Sequence, residues 1–516
     1  MKKLTKWLQW LDTNILKVLV IGYIFIIPLY PKLPLRMVNY TYVAIRVEDI
    51  YVAILGIVFL FQFFRKKVTI NWKFASLFAI YWLAIFVSYL YGYYVQHTIA
   101  VGHLGLLHSL RRVEYMFIFF VVGTTIRSKK DFLLYLNLIF SVLAIACVYG
   151  IGQKFLGWPA VQTMNPEFAK GYILVLDSWA RISSTFAGHY DFAAYLILIM
   201  PIIIGFYLYT TKKYYLALFF LALATLILTA SRASYLSYLG TIILFLLFIR
   251  KFKLLLIVLL ATALLTPLSD NLTNRLTRTF QQTKIFVDPE TGGVIIPNER
   301  RPDQLPAGSF GSKVDTSTLN NAPETKVDKR SVDEAKAQIR ESIVKDAKET
   351  GKSLTEAEIT ALVENTFGKQ VPITKYLIDI SLSTRFQVAW PRAINAFQKN
   401  PLLGLGPSAL GEATDGDYFR WIGETGLIGT GLFLGIFFEI IRTIFVKLKK
   451  MNQENKYLYY GFLFGFLSLF INASYIDVFE ASKVAYTFWL IAGIFIATLP
   501  YAIKGDGEEK LSKSKK

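Results

Sequence analysis

Arginine residues in apolar surroundings are the first candidates for chemistry in this sequence. Arg232 lies in "LILTASRASYLSYLG", between two apolar runs of about 15 residues each, whereas a membrane-spanning helix needs roughly 20 residues. If both runs continue as helices toward Arg232, its charge lies below the membrane surface, where ionisable residues usually mark function. The alternative is an interfacial arginine whose side chain extends to lipid phosphates.

Arg385 and Arg181 are two further candidates. Arg385 lies in "STRFQVAW", and its alternative is a solvated or lipid-facing charge. Arg181 lies in "RISSTFAGHYDFAAY", close to His189 and Asp191. There the alternative is the polar start of a helix, with Asp191 stabilised near the helix N-terminus.

Three carboxylates follow in "ATDGDYFRWIGETGLIG", namely Asp415, Asp417 and Glu424. Asp415 or Asp417 either caps the next apolar helix or serves as a general base. Glu424 lies one turn into that helix, where solvation does not explain it. We therefore expect Glu424 to pair with an arginine inside the helix bundle.

Metal and nucleotide motifs are missing from the sequence. The four histidines do not have the spacing of a zinc site, there is no HExxH motif, and no Walker A or GxGxxG loop occurs. The single cysteine, Cys147, cannot form an intramolecular disulfide. These patterns predict no metal and no cofactor.

The composition indicates a polytopic integral membrane protein. The 516 residues are 54% hydrophobic and 18% charged, with a mean hydropathy of +0.44, and long apolar runs recur along the chain. We interpret the N-terminal run as a retained first span rather than a signal peptide. The apolar runs predict an all-α fold with twelve transmembrane helices, at residues 15–30, 48–64, 74–94, 113–126, 132–153, 191–209, 214–228, 235–249, 254–268, 420–441, 457–472 and 484–503.

The distribution of positive charge predicts the orientation. With both termini in the cytoplasm, the inner segments hold 25 Lys and Arg residues and the short outer segments hold 10, in agreement with the positive-inside rule. The net charge of +20 is then explained by attraction to membrane lipids and does not require a nucleic-acid partner. The tail 504–516 is predicted to be disordered.

One long segment, residues 269–419, separates spans 1–9 (1–268) from spans 10–12 (420–503) and is predicted to be extracytoplasmic. It contains a helical insert at 331–367, in which capping boxes are expected at Ser331 and Ser353. A membrane-surface segment follows at 381–419. It is expected to contain a helix that Pro391 either starts or kinks, and then the turns of "NPLLGLGPSALG".

The order of these motifs resembles the O-antigen ligase/O-antigen polymerase superfamily. "TASRASY", the arginine before Trp390, "NPLLGLG" and "YFRWIGETGLIG" occur in the family's order on a polytopic chain. The resemblance runs from about Arg181 to about Leu434, apart from the helical insert. The run "VAIRVEDIYVAIL" is similar to the family's second helix.

The resemblance implies a membrane glycosyltransferase at the outer face of the bacterial cytoplasmic membrane. Such enzymes move a glycan from an undecaprenyl-diphosphate carrier to an acceptor hydroxyl, without a metal or nucleotide. The acceptor is lipid A core, another glycan repeat, or a protein Ser or Thr, so ligase, polymerase and protein O-glycosyltransferase all remain open. Arg232 and Arg385 match the family's diphosphate-holding arginines, and guanidinium groups suit phosphate oxygens. Arg181 is a third candidate for the diphosphate.

One position departs from the family pattern. Asp415 stands where the family has a histidine, nine residues before Glu424. A carboxylate can accept the acceptor's proton, so Asp415 and Glu424 are the catalytic candidates. His189 and Asp417 are further candidates, with His189 as the replacement imidazole.

Two other classes of function fit the sequence. A secondary transporter or flippase matches the number of spans, although we find no six-plus-six repeat. A scaffold that binds a partner through residues 281–375 is the third hypothesis.

Overall fold

The structure is a computed structural model, and it describes residues 2–39, 44–163, 171–177, 180–277, 280–290, 294–295, 329–349, 354–378, 382, 385–411 and 414–503. The predicted tail 504–516, Ser353 and most of the loop before the helical insert lie outside the described residues. The helices are α1 (Lys2–Leu29), α2 (Val47–Phe64), α3 (Trp72–Tyr94), α4 (Gly102–Thr125), α5 (Lys129–Phe155), α6 (His189–Thr210), α7 (Lys213–Leu228), α8 (Arg232–Phe248), α9 (Phe252–Leu265), α10 (Asp270–Thr277), α11 (Lys329–Glu349), α12 (Glu356–Gly368), α13 (Trp390–Lys399), α14 (Asp417–Leu448), α15 (Gln453–Asn472) and α16 (Ser482–Ile503).

The chain forms two compact units. The first contains residues 1–273 and 392–516, and the second contains residues 274–391. The second unit begins five residues after the expected start of the long segment, 269, and ends well before its expected end, 419. Each unit has its own buried cluster of apolar side chains.

Membrane-capable helices dominate the first unit. Within the described residues, seven helices are long and apolar enough to cross a membrane, or up to eight if the pair Phe252–Leu268 and Asp270–Leu276, bent by 101°, is one span. This confirms a largely helical membrane protein. All twelve apolar segments singled out in the sequence are helical, with most boundaries within a few residues of the prediction.

The largest boundary errors are the start of α1, which begins at Lys2 rather than residue 15, and the start of α4. The sequence predicts this helix from residue 113, but it begins at Gly102, so Arg111, Arg112 and Glu114 lie inside it rather than in or beside an outer loop. Charged residues in the first half of the helix hide its start from a search for apolar runs. Arg112 is buried, with only 4% of its surface exposed.

Glycines let the central helices approach at backbone distance. A Cβ atom on Gly465 of α15 would lie 2.2 Å from the carbonyl oxygen of Leu198 in α6, and one on Gly461 would lie 2.7 Å from that of Pro201. Small residues at such contacts are typical of helix packing in membranes. The close α6–α15 contact therefore positions α15 and, with it, the start of the loop that follows α15.

The second unit contains a sheet that the sequence analysis did not predict. Strand β5 (Phe280–Val287) pairs in antiparallel fashion with β7 (Val371–Ile378) over eight residues, and β6 (Val294–Ile295) pairs with the other edge of β5. No strand was predicted for "VPITKYLI", which contains Pro372, and proline is disfavoured in strands. The strands are β1 (Arg36–Met37), β2 (Ala44–Ile45), β3 (Pro159–Val161), β4 (Ile173–Val175), β5 (Phe280–Val287), β6 (Val294–Ile295) and β7 (Val371–Ile378).

The two insert helices form as predicted, but their caps differ. Helix α11 starts at Lys329, so Ser331 lies inside the helix and does not cap it. Helix α12 is capped by Thr355, whose hydroxyl accepts from the Glu358 amide while the Glu358 carboxylate accepts from the Thr355 amide. The capping box is thus two residues later than the sequence suggested, because Thr355 offers the same chemistry as Ser353.

The helix expected near Pro391 is α13. Ala393 and Ala396 face inward and pack with Leu410, whereas Ile394 is 40% exposed. The turns expected after it are present, since Gly404, Gly406, Ser408 and Gly411 all have positive φ angles. That α13 lies on a membrane surface remains a prediction.

Candidate functional site

Helix α14 is broken at Gly426, which has φ 59° and ψ −163°. Residues 401–406 dock against the break through four backbone hydrogen bonds. The amides of Leu427 and Ile428 donate to Pro401 and Leu402 at 2.8 and 3.1 Å, and the amides of residues 405 and 406 donate to residues 423 and 424 at 2.9 Å. Backbone groups freed by the break are thus satisfied inside the protein, as a membrane setting requires.

This junction explains the glycines of "NPLLGLG" and "GETGLIG". A Cβ atom on Gly426 would lie 2.4 Å from the carbonyl oxygen of Leu402, and one on Gly404 would lie 2.4 Å from the carbonyl carbon of Glu424. Both glycines also have positive φ angles, which side chains disfavour. The two motifs therefore form one structural unit that positions Glu424.

Glu424 pairs with two arginines, as the sequence analysis expected. Its carboxylate accepts from Arg112 Nη2 at 2.9 Å, from Arg420 Nη1 at 3.4 Å, and from the Ser408 amide at 3.1 Å. Only 1% of its side chain is exposed. Because both carboxylate oxygens have charged partners, Glu424 holds the start of α14 and the 401–408 loop in place and is not available as a general base.

Arg420 and Arg112 extend the pairing to the loop between α15 and α16. Arg420 binds Asp477 Oδ2 through Nε at 2.9 Å and Nη2 at 2.8 Å, and its Nη2 also donates to the Thr414 carbonyl. Arg112 Nε binds Glu480 Oε1 at 2.9 Å. We call this group the ionic network; its members are Arg112, Arg420, Glu424, Asp477, Glu480 and the adjacent Asp417.

Asp417 is the first residue of α14 but does not cap it. The cap residue is Gly416, and the Asp417 carboxylate instead accepts from the amides of Val478 and Phe479 at 2.7 and 3.1 Å. The capping alternative is therefore wrong for Asp417. Its carboxylate ties the start of α14 to the 473–481 loop.

The ionic network contains buried polar atoms with unused hydrogen-bonding capacity. Arg112 Nη1, Asp417 Oδ1 and Asp477 Oδ1 have no hydrogen-bond partner among the described residues. Burial raises the pKa of Asp477 to about 7, and Arg420 opposes the rise while Asp415 adds to it. Atoms of this kind are expected where a polar ligand or a proton binds.

Asp415 lies just before α14 and is half-buried. Its negative charge contributes to the raised pKa of Asp477. The structure thus brings Asp415, Asp417 and Glu424 together at the start of α14, with arginine partners between them.

Arg232 is the first residue of α8 and is only 9% exposed. The turn before it, Thr229–Ser231, is fully buried, and Ala230 has a positive φ angle. The residue is thus enclosed by protein, which argues against a side chain lying in lipid. Its position adds a guanidinium to the positive end of a helix.

The start of α8 is tied to the ionic network by a short path. The Ser234 hydroxyl accepts from Asn472 Nδ2 at 3.1 Å, and Asn472 is the last residue of α15. The next residue, Ala473, accepts the Asp417 amide at 2.9 Å. Arg232 therefore lies two residues from Ser234, which is linked through Asn472 and Ala473 to Asp417 of the ionic network.

Arg181 and His189 form a separate pair. Arg181 Nη1 lies 2.7 Å from His189 Nε2, and the guanidinium lies 5.8 Å from the Tyr190 ring centre. His189 is 3% exposed. The structure thus brings these two candidates together.

Buried lysines form another polar group that sequence reasoning missed. Lys483 Nζ donates to the carbonyls of Pro28, Tyr30 and Thr185 at 3.1, 2.6 and 2.7 Å. Lys32 Nζ lies 3.2 Å from Glu48 Oε1, and burial lowers the pKa of Lys32 while Glu48 partly offsets this. These contacts fix the ends of α1, α2 and α16.

Arg385 belongs to the second unit. It is 3% exposed and begins a π-helical turn, Arg385–Ala389, directly before α13. A solvated charge, the alternative considered for it, does not describe such a residue.

The members of the ionic network that sequence reasoning missed are Arg112, Arg420, Asp477 and Glu480. Arg420 could have been found, because it precedes Glu424 by four residues and so shares its helix face. Arg112 is 312 residues from Glu424, and only its position in an apolar helix could have marked it.

Among the described residues, no group of three or more His, Cys, Asp or Glu is placed to hold a metal ion. A cavity of about 350 Å³ opens elsewhere, beside Asp12 and Arg127. It is not part of the ionic network.

Comparison with known proteins leaves the family of this chain open. No family model matches the sequence, and no curated protein matches it.

Proposed function

We propose that the chain is a membrane glycosyltransferase that moves a glycan from an undecaprenyl-diphosphate carrier to an acceptor hydroxyl. The observation that carries the proposal is the burial of Arg232 at the start of α8, on a short hydrogen-bonded path to the ionic network. A guanidinium at a helix N-terminus suits a diphosphate. Acidic groups close by suit the removal of a proton.

The reaction requires one proton acceptor and one site for the leaving group. The acceptor hydroxyl oxygen attacks the anomeric carbon, and the bond from that carbon to the diphosphate oxygen breaks with its electron pair on the diphosphate. Arg232 holds the diphosphate charge, with Arg181 and Arg385 as further candidates. The hydroxyl proton passes to Asp415.

Glu424 has a different role in this proposal from the one expected from the sequence. Its oxygens are occupied by Arg112, Arg420 and the Ser408 amide. It therefore orders the loop that carries Asp415, and Asp415 is the base. Asp417 likewise holds the 473–481 loop.

The proposal places the chain across the bacterial cytoplasmic membrane with twelve spans, cytoplasmic termini and an extracytoplasmic insert. Seven helices have the required length and apolarity. α4 and α15 pack along α16 and α6, which supports their crossing as well. Helix α9 is the eighth candidate span, as part of the bent pair. The paired short helices α7 and α8 bring the number to twelve when their buried turn lies below the outer surface.

The test is the fate of the carrier-linked glycan in cells that depend on this protein. Arg232→Gln should lower transfer at least about a hundred-fold, the scale seen when one donor to a developing charge is removed. Arg232→Lys should restore part of it, because ammonium lacks the two-pronged geometry. Mass spectrometry of envelope glycans reports the accumulated donor.

The matched control is Arg250→Gln, at an exposed residue two positions beyond the opposite end of α8. It should leave transfer unchanged. Normal transfer in Arg232→Gln, with the protein present at the wild-type level, would contradict the proposal. Accumulation of single repeats would indicate a polymerase, and accumulation of long carrier-linked chains would indicate a ligase.

One observation favours a transporter or flippase as a second candidate. Helix α14 is broken at Gly426, and discontinuous helices are characteristic of transporters. Vesicles that contain only this protein distinguish the two functions. A transporter moves the intact lipid-linked glycan across the bilayer, whereas a transferase breaks its bond to diphosphate.

A further inference from the structure

A polar cavity of about 350 Å³ lies between the middle of α1 and the C-terminal ends of α2 and α4. Its polar and charged lining includes Asp12, Lys17, Gln62, Lys67, Thr124 and Arg127. It is remote from the ionic network, because Thr124 is twelve residues beyond Arg112 on α4, about 18 Å at the rise of an α-helix. Neither the proposed reaction nor its site residues use this cavity.

The cavity has an excess of positive charge. Lys17, Lys67 and Arg127 line it, and Asp12 is the single carboxylate in the lining. Lys67 and Arg65 both pair with Asp12, Lys17 pairs with Asp131, and Arg127 Nη2 donates to the Thr13 carbonyl at 3.0 Å. These contacts hold the cations at the rim without neutralising all of them.

Gln62 adds a second, independent feature. It is 4% exposed, and its Nε2 donates to the Asp12 carbonyl and carboxylate at 3.4 and 3.3 Å. These two acceptors fix the orientation of the amide. Its Oε1 is buried and has no partner among the described residues. A ligand for this cavity therefore carries an anion for the cations and a hydroxyl donor for Gln62.

The surroundings favour a lipid as the source of that chemistry. Trp7 and Trp10 on α1, and Phe61 and Phe64 on α2, are all more than half exposed, at 55–78%. Exposed aromatic side chains beside a charged cavity are typical of the membrane interface. They offer apolar surface for acyl chains, and the cavity volume suits a headgroup.

We propose that this cavity binds the headgroup of an anionic glycerol-bearing phospholipid. The phosphate lies among Lys17, Lys67 and Arg127, and a glycerol hydroxyl donates to Gln62 Oε1. Basic pockets between membrane helices bind lipid headgroups in this way. The proposal does not depend on the glycan-transfer proposal or on its site.

The test uses the purified full chain in detergent, delipidated and then titrated with defined lipids by native mass spectrometry. Phosphatidylglycerol should bind more tightly than phosphatidylcholine, and inorganic phosphate at the same concentration should not compete. Lys67→Gln combined with Arg127→Gln should weaken binding at least about ten-fold, the scale of one charge-assisted hydrogen bond. Lys66→Gln is the matched control, because Lys66 is the exposed neighbour of Lys67 and does not line the cavity.

Gln62→Met tests the hydroxyl contact separately. It should remove the preference for phosphatidylglycerol over phosphatidic acid, which lacks the glycerol headgroup. Equal loss of binding in Lys66→Gln and in the double variant would overturn the site. Competition by inorganic phosphate would overturn the assignment to a lipid. If the double variant does not fold, Gln62→Met and the competition experiment still decide the outcome.

Discussion

The ionic network makes a quantitative prediction for Glu424→Gln. The substitution keeps the shape of the side chain but removes a charge that is 1% exposed and accepts from Arg112, Arg420 and the Ser408 amide. Removing one partner of a buried ion pair costs roughly 3–5 kcal/mol. Arg112 and Arg420 retain Glu480 and Asp477, so we expect a loss of about 3 kcal/mol, at the lower end of that range.

Glu439→Gln on the same helix is the matched control. Glu439 also accepts from two cations, Lys73 and Arg442, but their side chains are 55% and 48% exposed. Ion pairs with exposed partners contribute about 1 kcal/mol or less. The control should therefore cost less than a third as much as Glu424→Gln.

The assay is reversible unfolding of the purified protein by SDS in mixed micelles, followed by tryptophan fluorescence. The free energy of unfolding of each variant is compared with that of the wild type at one pH. Equal losses for Glu424→Gln and Glu439→Gln would refute the reasoning, because burial would then make no difference. A stable Glu424→Gln protein would show that the network does not hold α14 in place.

Three further predictions follow from other parts of the structure. Gly426→Ala places a Cβ atom 2.4 Å from a backbone oxygen and should lower the yield of folded protein. Gly435→Ala on the same helix meets open space and should leave the yield unchanged. Size-exclusion chromatography measures the yield of folded protein for both variants. Burial raises the pKa of Asp477 from 3.8 to about 7. The folded state therefore binds more protons than the unfolded state between about pH 4 and pH 7. The contribution of Asp477 to stability is present below about pH 4 and is lost as the pH rises to about 7. The slope of unfolding free energy against pH should therefore be shallower in Asp477→Asn, and an unchanged slope would assign the dependence elsewhere. In the second unit, Val287 pairs with Val371, so replacing all residues between them with Asn-Gly should close a two-residue hairpin. Retained glycan transfer in this variant would show that the insert is accessory. Lost transfer in a folded variant would favour the scaffold hypothesis.

Hydrophobic periodicity and charge placement predicted much of the first unit. Apolar runs locate helices because burial in a bundle or in lipid demands them. Those rules fail for α4, where Arg111, Arg112 and Glu114 interrupt the apolar run. The charges are tolerated because partners from distant parts of the chain meet them, and no local pattern reveals such partners.

The candidate site was predictable only in part. Glu424 was expected to pair with an arginine, and burial of Arg232 was one of two alternatives, because charges are costly in apolar surroundings. The role of Asp417 was not predictable, because the amides that donate to its carboxylate are 61 and 62 residues later in the chain. The sheet of the second unit was missed because β5 and β7 pair across more than 80 intervening residues.

The most direct test of the central claim is transfer by the purified protein in proteoliposomes. A synthetic polyprenyl-diphosphate glycan, labelled in the sugar and in the carrier, is supplied with a hydroxyl acceptor. We expect one polyprenyl diphosphate to be released for each glycosidic bond formed, with both products lost in Arg232→Gln and kept in Arg250→Gln. Movement of the intact labelled donor across the bilayer, without release of diphosphate carrier, would contradict the proposed transferase.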